Sequence, residues 1–177
     1  MPTKKMDAIG MLKEDHRKVE DLFEQFEKAR GDDRKKKLAD EICMELIIHT
    51  TIEEEIFYPA LRGKVEDDLL DEAYVEHDGA KLLIAELLQS EPSTDFFEAK
   101  VTVLSEEIKH HVKEEERASS GMFAQVRNAG IDMNELGERL RARKEELKSE
   151  VKANGLPTPM TRSMIGASLQ RGEPVAA

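Results

Sequence analysis

The chain has 177 residues and a formal net charge of -11, with 37% charged and 39% hydrophobic residues. Those proportions suit one helical domain with a real core, and the acidic balance argues against nucleic acid as a partner, since phosphate binding needs a basic face. A lone cysteine, Cys43, excludes an internal disulfide framework and fits a reducing compartment.

The polar start MPTKK leads into a helix and not into an apolar h-region, so no signal peptide is expected. Apolar runs such as LLIAELL are too short to span a bilayer, which makes a cytoplasmic chain without a membrane partner the expectation. A first helix is predicted from Asp7 to Ala29, with Leu12, His16, Val19, Phe23 and Phe26 on one stripe. It stops at Gly31. The second runs from about Asp33 to Leu61 and carries Leu38, Ile42, Leu46, His49, Glu53, Ile56 and Ala60, with Cys43 beside the stripe as a packing thiol. The third, from about Asp67 to Gln89, carries Leu70, Tyr74, His77 and Ile84. After the break at SEPSTD, the fourth presents Phe97, Val101, Leu104, Ile108, His111, Glu115, Ala118 and Met122 and ends around Gly130. Residues 1–130 are therefore read as an all-α, up-down-up-down four-helix bundle. Asp132 with Glu135 resembles a capping box for an additional C-terminal helix over 131–153, whose thin stripe is Leu136, Leu140, Leu147 and Val151. Residues 154–177 hold three of the six prolines and little charge; they are expected to form a flexible tail that a protein partner could bind.

Of the five histidines, four fall on the inward stripes, one per long helix. His16 and His49 are 33 residues apart, and His77 and His111 are 34 apart. Each pair opens with an acid-histidine dipeptide (Asp15-His16, Glu76-His77) and closes with a histidine four residues before a glutamate (His49/Glu53, His111/Glu115). The four helices thus read as two copies of one helical hairpin. Side chains at i and i+4 share a helix face, so four imidazoles and two carboxylates point to one bundle centre. A lone histidine on an apolar stripe is ordinarily a hydrogen-bonded core residue; four at repeated spacing, with two glutamates, point instead to a metal site. Imidazole with carboxylate suits iron, manganese or zinc, and bound ions would neutralise Glu53 and Glu115, whose burial otherwise costs several kcal/mol each. HHVKEEE also permits His110 with Glu114, but the stripe through Leu104 and Ile108 arrives at His111, leaving His110 beside the site or on the surface. Within the triple glutamate, Glu53 is expected to hold metal while Glu54 and Glu55 face away.

These motifs (DH, HTTIEEEIFYP, EH and HHVKEEE) resemble the hemerythrin-like family, also called the HHE cation-binding domain, over roughly residues 7–125. The resemblance implies a bundle holding two iron ions, non-haem and bridged by an oxo or hydroxo group. It implies His16, His49, His77 and His111 as terminal ligands and Glu53 and Glu115 as bridges. The oxygen-carrying members place two histidines one turn apart on the third helix; here the positions one turn from His77 hold Ala73, Tyr74, Ala80 and Lys81. That departure favours peroxide decomposition or nitric-oxide handling over oxygen carriage, and makes Tyr74 a candidate ligand or hydrogen-bond donor. The second motif has SSGMF where the first has FYP, so the fourth helix should continue past the point where the second ends. The functional expectation is binding or reduction of a small oxidant (dioxygen, hydrogen peroxide or nitric oxide) in oxidative or nitrosative stress. The alternative is a di-iron sensor signalling through the C-terminal helix and tail.

Overall fold

The computed structural model describes residues 6–173; the MPTKK start and the last four residues of the expected tail lie outside the described residues. In chain order come α1 (Ala8–Lys28), α2 (Asp32–Ile52), a π turn (Glu53–Phe57) running into α3 (Tyr58–Leu61), α4 (Asp67–Leu88), α5 (Phe97–Glu116), α6 (Met122–Val126) and α7 (Met133–Asn154). The described residues contain no strand. Two hairpins, α1/α2 and α4/α5, pack side by side into a four-helix bundle, with α2 against α4 and α1 against α5.

Local chemistry sets the ends of these elements. The Asp7 carboxylate accepts from the Gly10 amide at 2.8 Å and caps α1. Gly31, at φ 81°, makes the left-handed turn into α2 that a side chain would resist. Asp132 accepts from the amides of Asn134 and Glu135 and caps α7. In the second helix the expected regular run to Leu61 is interrupted by the π turn, where the Tyr58 amide reaches back to the Glu53 carbonyl. Pro59 explains it: proline has no amide for the carbonyl four residues back and its ring collides with that carbonyl, so a wider turn relieves both.

The fourth helix stops short of its expected end. α5 terminates at Glu116, and a turn over residues 117–121 redirects the chain into α6, leaving Ala118 exposed. Gly121 enables this turn: a Cβ there would lie 2.6–2.7 Å from the backbone of Arg117 and Glu114. The redirected segment buries Met122 and Phe123.

The apolar core is split in two. One cluster, including Phe23, Phe26, Leu38, Leu46, Phe97 and Leu104, fills the end near the interhelical turns of each hairpin. The other, including Leu12, Ile52, Phe57, Leu70, Phe123 and Leu140, fills the opposite end. Cys43 lies inside the first as a packing thiol, and burial, followed by the charge of Asp40, pushes it up to about 12. Between the clusters sits a layer of buried polar side chains, described below. α7 lies over α1 and α2 through Leu136, Leu140 and Leu147, with Val151 half-buried. It comes so close that a Cβ on Gly137 would stand 2.8 Å from the Ala8 amide nitrogen. Gly137→Val should therefore push α7 outward at a cost of about 1–3 kcal/mol, lowering the melting temperature by roughly 2–12 °C; an unchanged melting temperature would refute the close packing. No helix among the described residues is long and apolar enough to cross a membrane. The described residues after Gly155 have no regular structure, and MTRSMIGASL forms no helix.

Candidate metal centre

Each long helix delivers one buried histidine to the polar layer: His16 from α1, His49 from α2, His77 from α4 and His111 from α5. They meet in pairs. His16 Nε2 lies 3.2 Å from His49 Nε2, and His77 Nε2 lies 3.2 Å from His111 Nε2. Glu53, fully buried, stands between the pairs, with Oε2 3.2 Å from His49 Nε2 and 3.3 Å from His77 Nε2. Glu115 mirrors it at slightly longer range, 3.4 Å from His16 and 3.6 Å from His111. The six residues singled out by the sequence repeat are thus brought together. Two groups of three have ligand atoms within 4.8 Å of one another, His16/His49/Glu53 and Glu53/His77/His111. Glu115 belongs to neither compact group.

The outward nitrogens of the imidazoles face carboxylates. His16 Nδ1 meets Glu116 at 2.7 Å, His77 Nδ1 meets Glu54 at 3.0 Å and His111 Nδ1 meets Glu76 at 2.7 Å. Asp15 faces His49 Nδ1 at 3.6 Å, beyond hydrogen-bond range, while Lys144 holds its other oxygen. A carboxylate accepting the Nδ1 proton leaves Nε2 as a lone pair directed inward. The acid-histidine dipeptides of the repeat and the second glutamate of each Glu-Glu pair are therefore the backing groups. Glu54 corrects the expectation that it faces away: it is buried, bonded to His77, Lys81 (2.6 Å) and Arg162 (2.7 Å). Glu55 is exposed and pairs with Arg143 at 2.8 Å. His110 is exposed, 3.4 Å from Glu76.

The tyrosine at the cluster is Tyr58. Its hydroxyl lies 3.0 Å from Glu115, 3.3 Å from Glu53 and 3.2 Å from His77 Nε2. Tyr74, the candidate from the sequence, turns its hydroxyl to the Glu54 backbone carbonyl at 3.4 Å and packs edge-on against the Tyr58 ring. A regular α-helix would put position 58 about 140° around from Glu53; the π turn brings it back to the same face. Phe123 of α6 stacks on His16 with ring centroids 6.0 Å apart.

The sequence matches the hemerythrin HHE cation binding domain over residues 7–123. The chain belongs to this family. It is 28% identical over 123 residues to the DNA nickase of Nostoc sp. (strain PCC 7120), covering 70% of this chain but 34% of that protein, so it spans about a third of that relative's length. It is 27% identical over 144 residues to the uncharacterized protein Rv2633c of Mycobacterium tuberculosis, covering 81% of this chain and 88% of the relative. A crystal structure of a hemerythrin HHE cation binding domain-containing protein, the Rv2633c homolog from Mycobacterium kansasii, aligns with a TM-score of 0.70 at 26% identity, over 86% of this chain and 96% of that one.

The donor set fits the cation that the family name implies. Glu53 Oε1 and Glu115 Oε2 are buried with no hydrogen-bond partner among the described residues, and paired Nε2 lone pairs 3.2 Å apart repel unless positive charge lies between them. The cluster draws protons for the same reason. Burial opposes a charge on His16, yet Glu115 and Glu116 outweigh it and hold the imidazole up to about 9. Burial, then the charge of Glu115, pushes Glu53 up to about 7.

Proposed function

We propose that this chain is a non-haem di-iron protein of the hemerythrin type that binds or reduces a small oxidant, either dioxygen, hydrogen peroxide or nitric oxide. His16 with His49, and His77 with His111, would each hold one ion, with Glu53 and Glu115 shared between the two. The observation that carries the reading is the convergence of four buried imidazoles, three of them hydrogen-bonded to carboxylates at Nδ1, on two buried glutamates that each keep one oxygen without a hydrogen-bond partner. Iron in such a donor set supplies one-electron redox chemistry and open coordination positions.

The chain's own residues limit what can enter and supply a proton. A cavity of about 10 Å³ adjoins the four histidines, walled by Val19, Leu46, Ile108 and Val112. That is room for one molecule of about the size of water, which supports a diatomic or similarly small ligand. The Tyr58 hydroxyl can donate into the site beside Glu53 and Glu115. The carboxylates bonded to Nδ1 hold the imidazoles of His16, His77 and His111 in one tautomer and orientation.

Aerobically purified protein should contain two irons per chain and show a ligand-to-metal charge-transfer band that changes on adding peroxide or nitric oxide. One zinc per chain, or no metal, would defeat the reading. A second reading, a di-iron sensor acting through α7 and the tail, draws support from the contacts of Lys144 and Arg162 with the backing carboxylates. It requires the tail's protease sensitivity to follow the redox state of the centre.

A further inference from the structure

The family match ends at residue 123, yet two side chains beyond it reach the carboxylates behind the histidines. α7 delivers Lys144 to Asp15, which faces His49. The segment after Gly155 then folds back over the bundle, and its residues 157–160 and Arg162 help to line a cleft of about 190 Å³ beside α2 and α7. There Arg162 Nε donates to Glu54 Oε2 at 2.7 Å, while Glu54 Oε1 faces His77 and Lys81.

This crossing is pinned at a single carboxylate. Asp78, fully buried and adjacent to His77 in sequence, accepts from the backbone amides of Arg162, Ser163 and Met164 at 2.6–3.1 Å, and from the Ser163 hydroxyl at 2.7 Å. Three consecutive amides on one carboxylate fix where the Arg162 side chain can go. The distribution is ordered. In each histidine pair, one backing carboxylate is held from within the family domain: Glu116 by Arg17, and Glu76 by contact with His110. The other is reached from the extension: Asp15 by Lys144 and Glu54 by Arg162.

We propose that the C-terminal extension is a working part of the metal centre, with Arg162 and Lys144 as positioning residues that fix Glu54 and Asp15 and, through them, one imidazole of each pair. The proposal rests on the metal reading above. An imidazole's orientation and basicity toward a metal follow its Nδ1 partner, and each of these two carboxylates is held in part by a cation from outside the family domain, Glu54 by Arg162 together with Lys81 and Asp15 by Lys144. Linkage makes the effect reciprocal: whatever seats the extension favours metal, and metal favours the seated extension.

The test uses the full chain as wild type, Arg162→Gln, Arg162→Lys, Lys144→Gln and the control Arg143→Gln, whose guanidinium pairs with Glu55, Glu146 and Glu150 and no backing carboxylate. Each is loaded with ferrous iron in air, and the charge-transfer band and the rate of iron release to a chelator are measured. Arg162→Gln and Lys144→Gln should shift the band and release iron on the order of tenfold faster. Arg162→Lys should recover much of the loss, and Arg143→Gln should match wild type. Tryptic cleavage of wild type after Arg162, which needs no variant to fold, should slow several-fold on iron loading. A wild type that loads iron, with unchanged bands and release in the variants or with cleavage indifferent to iron, overturns the inference and leaves the metal reading intact. A wild type that takes up no metal overturns both.

Discussion

Glu53→Ala is expected to abolish binding of the metal pair, while Glu55→Ala leaves it intact. Glu53 is common to both compact donor groups, so its loss removes a ligand atom from each. Losing an outer carboxylate behind a metal-bound histidine typically weakens affinity roughly 10–100-fold, and losing a shared inner one should exceed that. Glu55 lies two residues on but is exposed and engaged with Arg143. The control variant Glu53→Gln keeps the volume and removes the charge. In metal-free protein that change takes a carboxylate out of a fully buried position beside Glu115, so its melting temperature should equal or exceed that of metal-free wild type. Iron analysis and thermal melts of both variants settle the matter: retention of two irons by Glu53→Ala would refute the site assignment, and a less stable metal-free Glu53→Gln would refute its electrostatic account.

Tyr58→Phe should have the second-largest effect. The hydroxyl touches Glu53, Glu115 and His77 at 3.0–3.3 Å inside a fully buried pocket, and burial, followed by the nearby glutamates, holds its pKa well above the usual tyrosine range. It is therefore a proton donor at neutral pH. Removing it leaves Glu115 Oε1 without that donor, a loss of about 1–3 kcal/mol in the metal-free protein. In the loaded protein, reaction with peroxide should slow by roughly 100-fold or more while iron content stays at two. Tyr74→Phe, which loses a 3.4 Å bond to a backbone carbonyl, should leave both unchanged. Stopped-flow traces of the two variants on one iron-loaded preparation distinguish them; equal rates would remove Tyr58 from the chemistry.

Which features could be read in advance follows from the range of the interactions involved. The histidine-glutamate set was legible because all six residues lie on helical stripes whose period survives in the structure, and because the pattern occurs twice. Glu54 was not. Consecutive helical residues point about 100° apart, so a stripe argument sends Glu54 away from the cluster; only the neighbouring α4 reveals that this direction is also buried, behind His77. Tyr58 was hidden by the π turn, a local change of period that Pro59 could have signalled. The early end of α5 depends on the tight backbone approach at Gly121, which no periodicity records. The crossing of the tail rests on amides of residues 162–164 meeting a carboxylate 84–86 residues earlier, and backbone amides carry no sequence signature.

The backing carboxylates have one more consequence. Asp15 and Glu76 face a histidine of their own hairpin, but Glu54 of the first hairpin serves His77 of the second, and Glu116 of the second serves His16 of the first. Severed between α3 and α4, neither half would keep all its histidines backed. Two identical hairpins related by a two-fold axis would, because each would lend the other what it lacks, as in an isologous interface. The chain is, in this respect, a tethered dimer of itself. Tyr58 is where the equivalence fails, since the matching position in the second half is Ser120, in the turn after α5. The one tyrosine hydroxyl at the cluster therefore sets the two halves of a symmetric cradle apart.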